Sequence, residues 1–174
     1  DSYGRLSYDW AAGAIGRFSF GAGFGHLFNS YFRLDERMTA EGALQIVIEH
    51  SKKSIADCYV LILGFGRTGA AITKLLGKLD VTLDVASTSS VRPAHAFAKS
   101  VLPMKDFDFS KYDVVINTVP SPIVSDKELM SMKDDCVYID LASKSAINLD
   151  YAKYLGIDAV IYPALPAKTC PVSA

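Results

Sequence analysis

The chain has 174 residues, half of them hydrophobic and 21% charged, a globular composition with enough apolar mass for one domain of ordinary size. Its formal net charge is −1, so it lacks the polycationic footprint that nucleic acid or an anionic membrane surface calls for, and neither is expected as a partner. No apolar run approaches the roughly 20 residues of a membrane span, and the opening DSYGRLSYDW shows no charged-then-apolar leader pattern.

Residues 1–30 alternate glycines and aromatics with no period of two or 3.6. Gly21-Ala22-Gly23-Phe24-Gly25 looks superficially like a phosphate loop, but its spacing is wrong and no apolar strand leads into it. The segment is read as surface that packs against another domain or protomer. Thr39 reads as an N-cap with Glu41 in the first turn, and Ala40, Ala43, Leu44, Val47 and Ile48 form a helical stripe running to about His50.

The central stretch is Cys58 to Leu79. Cys58–Leu63 is an unbroken apolar run, as in a parallel strand covered on both faces. Gly64-Phe65-Gly66-Arg67-Thr68-Gly69 then matches G-x-G-x-x-G, and Ala71, Ile72, Leu75, Leu76 and Leu79 share one helical face. Each glycine has a physical role. Gly64 permits the tight turn, Gly66 lets a pyrophosphate lie against the backbone, and Gly69 lets the helix pack closely on the sheet. The helix N-terminus then faces the phosphates with free N–H groups and the positive end of its dipole. A lone G-x-G-x-x-G is weak evidence; strand and helix on its two flanks make it strong.

Further strands are predicted at 81–87, 101–103, 113–118, 136–140 and 159–162. A short helix is predicted after Pro93, one at Asp126 behind a capping box of Ser125 and Glu128, and one from Leu149 behind Asn148. Strands alternating with short helices define an α/β fold, a doubly wound parallel sheet of the Rossmann NAD(P)-binding type. Residues 39–174 are assigned to that domain. Residues 1–38 are assigned to a glycine- and aromatic-rich segment, a remnant of or a contact to a substrate domain.

In such sheets the ligand lies outside the carboxyl ends of the strands. That selects Gly64–Gly69, Ser87–Ser90, Thr118–Ser121, Asp140–Lys144 and Pro163–Lys168 as one rim. Cofactor contacts are expected from Gly64, Phe65, Gly66, Arg67, Thr68, Gly69, Thr118, Val119, Pro120, Asp140 and Leu141. The acid that binds the ribose of NAD normally follows the first glycine by about 20 residues, which is Asp84 by count. Asp84 lies inside its strand, however, and the strand end reads Ser87-Thr88 with Arg92 close behind. Hydroxyls and an arginine suit a 2′-phosphate, so NADP is expected around Ser87, Thr88 and Arg92, with NAD on Asp84 as the alternative.

The three cysteines, Cys58, Cys136 and Cys170, are odd in number and widely spaced, and read as small core residues in a reducing, cytoplasmic setting. His26, His50 and His95 are scattered, so no metal centre is expected. Each is a candidate acid–base group, none singled out.

The chain resembles the dipicolinate synthase A-subunit family. The resemblance rests on Thr39-Ala40-Glu41-Gly42-Ala43, Leu63–Gly69, Asn117-Thr118-Val119-Pro120, Ile139-Asp140-Leu141-Ala142-Ser143-Lys144 and Pro163-Ala164-Leu165-Pro166, in one order from about Tyr31 onward. It implies a cytoplasmic NAD(P)-dependent oxidoreductase that oxidises a dihydrodipicolinate-type precursor, a small dicarboxylate, in sporulating bacteria. It also implies a flavoprotein-like B-subunit partner and an N-terminal domain closing over the crevice. The chain departs from the family at Thr88, where the family has arginine, and at Ala164 and Ala167, where it has glycine. Ser143 and Lys144 are the candidates for catalysis, Lys144 as holder of a substrate carboxylate, with Lys168 a weaker candidate. A homo-oligomer is expected. The alternative function is a catalytically silent dinucleotide-binding module that senses redox state or holds a partner.

Overall fold

The computed structural model describes residues 8–9, 17–18, 22–88, 97–163 and 165, with side chains from Glu36 onward. The chain divides into two compact units between Glu36 and Arg37. In the first, β1 (Tyr8–Asp9) pairs antiparallel with β2 (Arg17–Phe18). Helix α1 spans Ala22–His50, which corrects the start expected at Thr39. Thr39 is a buried residue inside the helix, 9% exposed, and Gly23 and Gly25 are already helical. The reason is cooperativity. Once a nucleus exists, each further residue adds a hydrogen bond, and a glycine costs only about 1 kcal/mol relative to alanine.

The second unit is built on six parallel strands: β3 (Tyr59–Leu63), β4 (Thr82–Ser87), β5 (Ser100–Pro103), β6 (Val114–Asn117), β7 (Val137–Asp140) and β8 (Asp158–Ile161). Their order is β5-β4-β3-β6-β7-β8, the doubly wound arrangement in which strand order reverses between β3 and β6. The register aligns the carboxyl ends. Leu63 lies opposite both Ala86 and Asn117, and Asn117 lies opposite Asp140.

Alternate residues of β3 feed two cores, as a parallel strand covered on both faces requires. Val60 and Ile62 pack with Ala43 and Val47 of α1 and with Ile72 and Leu76 of α2 (Arg67–Gly77). Leu61 and Leu63 pack on the other face with Phe109, Tyr112, Leu129 of α3 (Asp126–Leu129) and Ala152 of α4 (Leu149–Tyr154). Both short helices start where their caps predict. Ser125 and Glu128 form a reciprocal capping box, and the Asn148 side chain accepts from the Tyr151 N–H. The helix expected after Pro93 lies outside the described residues.

Two acidic residues anchor the sheet away from its carboxyl ends. Asp113, just before β6, accepts from Lys53 Nζ (2.8 Å) and Lys133 Nζ (2.9 Å) on one oxygen and from the Tyr59 N–H (2.8 Å) on the other. Asp84, fully buried in β4, accepts on one oxygen from Tyr59 Oη (2.8 Å), Tyr112 Oη (2.8 Å) and Lys111 Nζ (3.1 Å). Its other carboxylate oxygen is buried with no hydrogen-bond partner.

Cys58 and Cys136 are buried free thiols, and burial pushes Cys136 up to about 12, which keeps it an inert core thiol. Cys170 lies outside the described residues. Among the described residues, no helix is long and apolar enough to cross a membrane, and no group of three acidic, histidine or cysteine side chains is placed to hold a metal.

Candidate functional site

Strand order reverses between β3 and β6, and in doubly wound sheets the ligand crevice lies outside the carboxyl ends at that point. Gly64 leaves β3 with φ +98°, a left-handed conformation that side-chain-bearing residues rarely adopt. A Cβ there would also come within 2.6 Å of Thr118 Oγ1 and 2.8 Å of Val119 Cγ2. Thr118 in turn donates both its N–H and its hydroxyl to the Leu63 carbonyl, each at 2.9 Å. The two strand ends are therefore packed directly on one another.

Gly69, in the first turn of α2, packs against Gly64 from the helix side, and a Cβ on it would overlap the Gly64 carbonyl oxygen. Gly66 differs from both. It is the exposed N-cap of α2, and a Cβ built on it meets nothing within 4 Å. Two glycines are thus demanded by the protein's own packing, while the third borders open space in front of a helix N-terminus. The first turn of α2 carries no acidic residue. An anion placed there would meet the N–H groups of the first helical turn and the positive end of the dipole with no acidic residue in that turn opposing it, so these residues fit a pyrophosphate.

The remaining predicted residues fall as follows. Phe65 is half-buried against the first core, Arg67 is exposed, and Thr68 is half-buried. Ser87 is the last residue of β4, beside Pro103 of β5, and Thr88 is exposed just beyond it. Arg92 lies outside the described residues, as do His95 and Lys168. Asp84 sits three residues inside β4 with its carboxylate held by two tyrosines and a lysine, so it is not positioned as a ribose-binding acid at the strand end. Burial pushes the Asp84 carboxyl up, and the hydrogen bonds from Tyr59, Tyr112 and Lys111 outweigh that and hold it below the ordinary range.

On the β6–β7 side, Val119 is half-buried and Pro120 exposed. Leu141 follows β7 with its side chain against the first core and its N–H donated to the Asn117 carbonyl (3.0 Å). Ser143 and Lys144 are both exposed on the loop beyond. The Asp140 side chain is fully buried and accepts hydrogen bonds within the protein from Asn117, Tyr138, Ala142, Ser145 and Ala146, which ties it to the loop beyond β7. Asn117 was legible only as part of a motif; its side chain is a fully buried connector between the two strand ends. The signal was present in principle, because an amide closing an apolar strand must find buried partners. His50 lies 3.9 Å from Asp158, which opens β8 at the opposite end of the sheet from the rim.

Strand order, glycine turn and a rim at the carboxyl ends define the class: a doubly wound parallel α/β domain of the Rossmann type. Within that class the chain is a relative of the dipicolinate synthase A-subunit. It is 31% identical to that protein from Bacillus subtilis (strain 168) over 141 residues, 78% of this chain and 48% of the relative. The crystal structure of the dipicolinate synthase A-subunit from Bacillus halodurans matches with a TM-score of 0.77 at 28% identity, over 83% of this chain and 51% of that one. A D-lactate dehydrogenase from Treponema pallidum shares the fold with a TM-score of 0.64 at 18% identity, over 78% of this chain and 50% of that one. The chain spans about half the length of these relatives. No family model matches it.

Proposed function

We propose that this chain is the dinucleotide-binding part of an NAD(P)-dependent oxidoreductase of the dipicolinate synthase A-subunit kind. The observation that carries the reading is the contrast among the three glycines. Gly64 and Gly69 are required by internal contacts, whereas Gly66 has no such reason and leaves room at the N-terminus of α2. In this reading Gly66 and the first N–H groups of α2 hold the pyrophosphate. Thr118, Val119, Pro120 and Leu141 border the nicotinamide half. Ser143 and Lys144 face the substrate, Lys144 holding a carboxylate of a small dihydrodipicolinate-type dicarboxylate.

When bound, the nicotinamide supplies the hydride acceptor; the chain's own part is to orient it and to keep the substrate's charge beside it. NADP is the preferred cofactor. Asp84 is engaged elsewhere, so the end of β4 offers hydroxyls from Ser87 and Thr88 and, with Arg92 nearby in sequence, no carboxylate to repel a 2′-phosphate. The same reading includes a homo-oligomeric assembly, a cytoplasmic setting and a B-subunit partner of flavoprotein type.

Titration with NADPH and with NADH, followed by nucleotide fluorescence, tests it. Saturable binding of either, tighter for NADPH, is expected. Binding of neither would overturn the proposal.

A further inference from the structure

Asn117 and Asp140 end neighbouring strands, lie opposite each other in register, and are both fully buried. Asn117 Nδ2 donates to Asp140 Oδ1 at 3.0 Å and to the Val119 carbonyl at 3.0 Å, while Asn117 Oδ1 accepts from the Val119 N–H at 3.0 Å. The orientation of the amide is determined by its neighbours, because a backbone N–H can only donate and a carbonyl can only accept. The amide thus clamps both polar groups of Val119.

Asp140 continues the connection. Oδ1 also accepts from the Ala142 N–H (3.0 Å), and Oδ2 accepts from Ser145 Oγ (3.0 Å), the Ala146 N–H (3.1 Å) and Tyr138 Oη (3.3 Å). All five of its partners are neutral donors from the strand ends and the loop after β7. With the Thr118 hydroxyl on the Leu63 carbonyl (2.9 Å), one continuous set of bonds runs from β3 through β6 to β7 along the rim.

We infer that Asn117 and Asp140 are a positioning pair. They hold the Thr118–Pro120 turn and the Leu141–Ser145 loop in one fixed relation, and so set the nicotinamide half of the crevice without touching the ligand. The inference rests on the reading of the crevice as a dinucleotide site. It deepens that reading by assigning two residues to only one half of it. The physical argument is that a site held on loops is as accurate as the groups that support the loops, and small misplacements cost a large share of binding and rate. The adenine end lies on the other side of the reversal, at the end of β4, which among the described residues shares no bond with either residue of the pair.

The test measures dissociation constants of NADPH and of adenosine 2′,5′-bisphosphate, which carries the adenine half alone. It uses wild type, Asn117→Ala and Ser145→Ala, together with the fluorescence anisotropy of bound NADPH. Asn117→Ala is expected to weaken NADPH by about tenfold, to lower the anisotropy of its nicotinamide, and to leave the bisphosphate within about twofold. Ser145→Ala removes one of the five donors to Asp140; it should shift NADPH in the same direction by about threefold, and it decides the matter if Asn117→Ala does not fold. Equal losses for both ligands would mean a general structural role and overturn the inference, as would unchanged NADPH affinity in a folded variant. A wild type that binds neither ligand would instead overturn the dinucleotide reading itself.

Discussion

Gly69 lies so close beneath Gly64 that a methyl group on it would overlap the Gly64 carbonyl oxygen, whereas the same group on Gly66 would meet nothing. Gly69→Ala should therefore cost stability, about 1–3 kcal/mol for overpacking, because the clash is with backbone and not with a side chain that can swing away. Gly66→Val should cost the helix N-terminus no more than about 1 kcal/mol. It should nevertheless abolish dinucleotide binding by filling the space the pyrophosphate needs. Thermal denaturation and NADPH titration of the two variants separate the effects; a folded Gly66→Val with wild-type affinity would remove the phosphate site from this turn.

In the proposed reading, cofactor choice rests on the end of β4. Ser87→Asp should reverse a preference for NADPH by adding an acceptor for the ribose hydroxyl and repelling the 2′-phosphate. A charge-assisted bond to the phosphate is worth about 1.5–3 kcal/mol, so the wild-type preference should be about tenfold to hundredfold. The ratio of the two dissociation constants in each protein checks this. A ratio near one in the wild type would show that hydroxyls at this position do not discriminate.

Asp84 is expected to matter for stability and not for cofactor choice. Asp84→Asn should weaken the bonds from Tyr59, Tyr112 and Lys111 and lower stability by about 1.5–3 kcal/mol. The NADPH-to-NADH ratio should stay where it was. A changed ratio in a stable variant would bring back the counting rule that placed the ribose acid here.

Acid should loosen the amino end of the sheet through Asp113. Burial pushes this carboxyl up, but the bonds from Lys53, the Tyr59 N–H and Lys133 prevail and bring it down to about 2. A carboxyl depressed in the folded state stabilises the protein above its unfolded pKa of about 4, and that stabilisation disappears as the pH falls from about 4 to 2. Both lysines are partly exposed, which screens the pairs, so the contribution is about 1–2 kcal/mol. The gap in unfolding midpoint between wild type and Asp113→Asn should be widest near neutral pH, narrow below about pH 4 and close only near pH 2. A gap independent of pH would assign the effect to lost hydrogen bonds and not to charge.

Local signals sufficed for the strands of the sheet, the glycine turn and the caps of α3 and α4, because each depends on neighbours in sequence. An apolar run of five is a covered strand, Ser125 with Glu128 closes its own box, and a glycine turn between strand and helix has few alternatives. The same signals misplaced the start of α1, since a cap-like Thr39 reads identically whether the turns before it are helical or not. Which carboxylate faces the crevice was beyond reach as well. Asp84 and Asp140 both sit in apolar strands of the sequence, and only the packed sheet shows what surrounds each. Tyr59, Tyr112 and Lys111 meet Asp84 from 25 to 28 residues away, and Asn117 reaches Asp140 across the β6–β7 register. A buried carboxylate must be hydrogen-bonded, but its partners come from whichever strands the topology makes adjacent. The chain's own pattern therefore determined a Rossmann-type fold and its glycine turn, while tertiary packing decided which partners each buried carboxylate has.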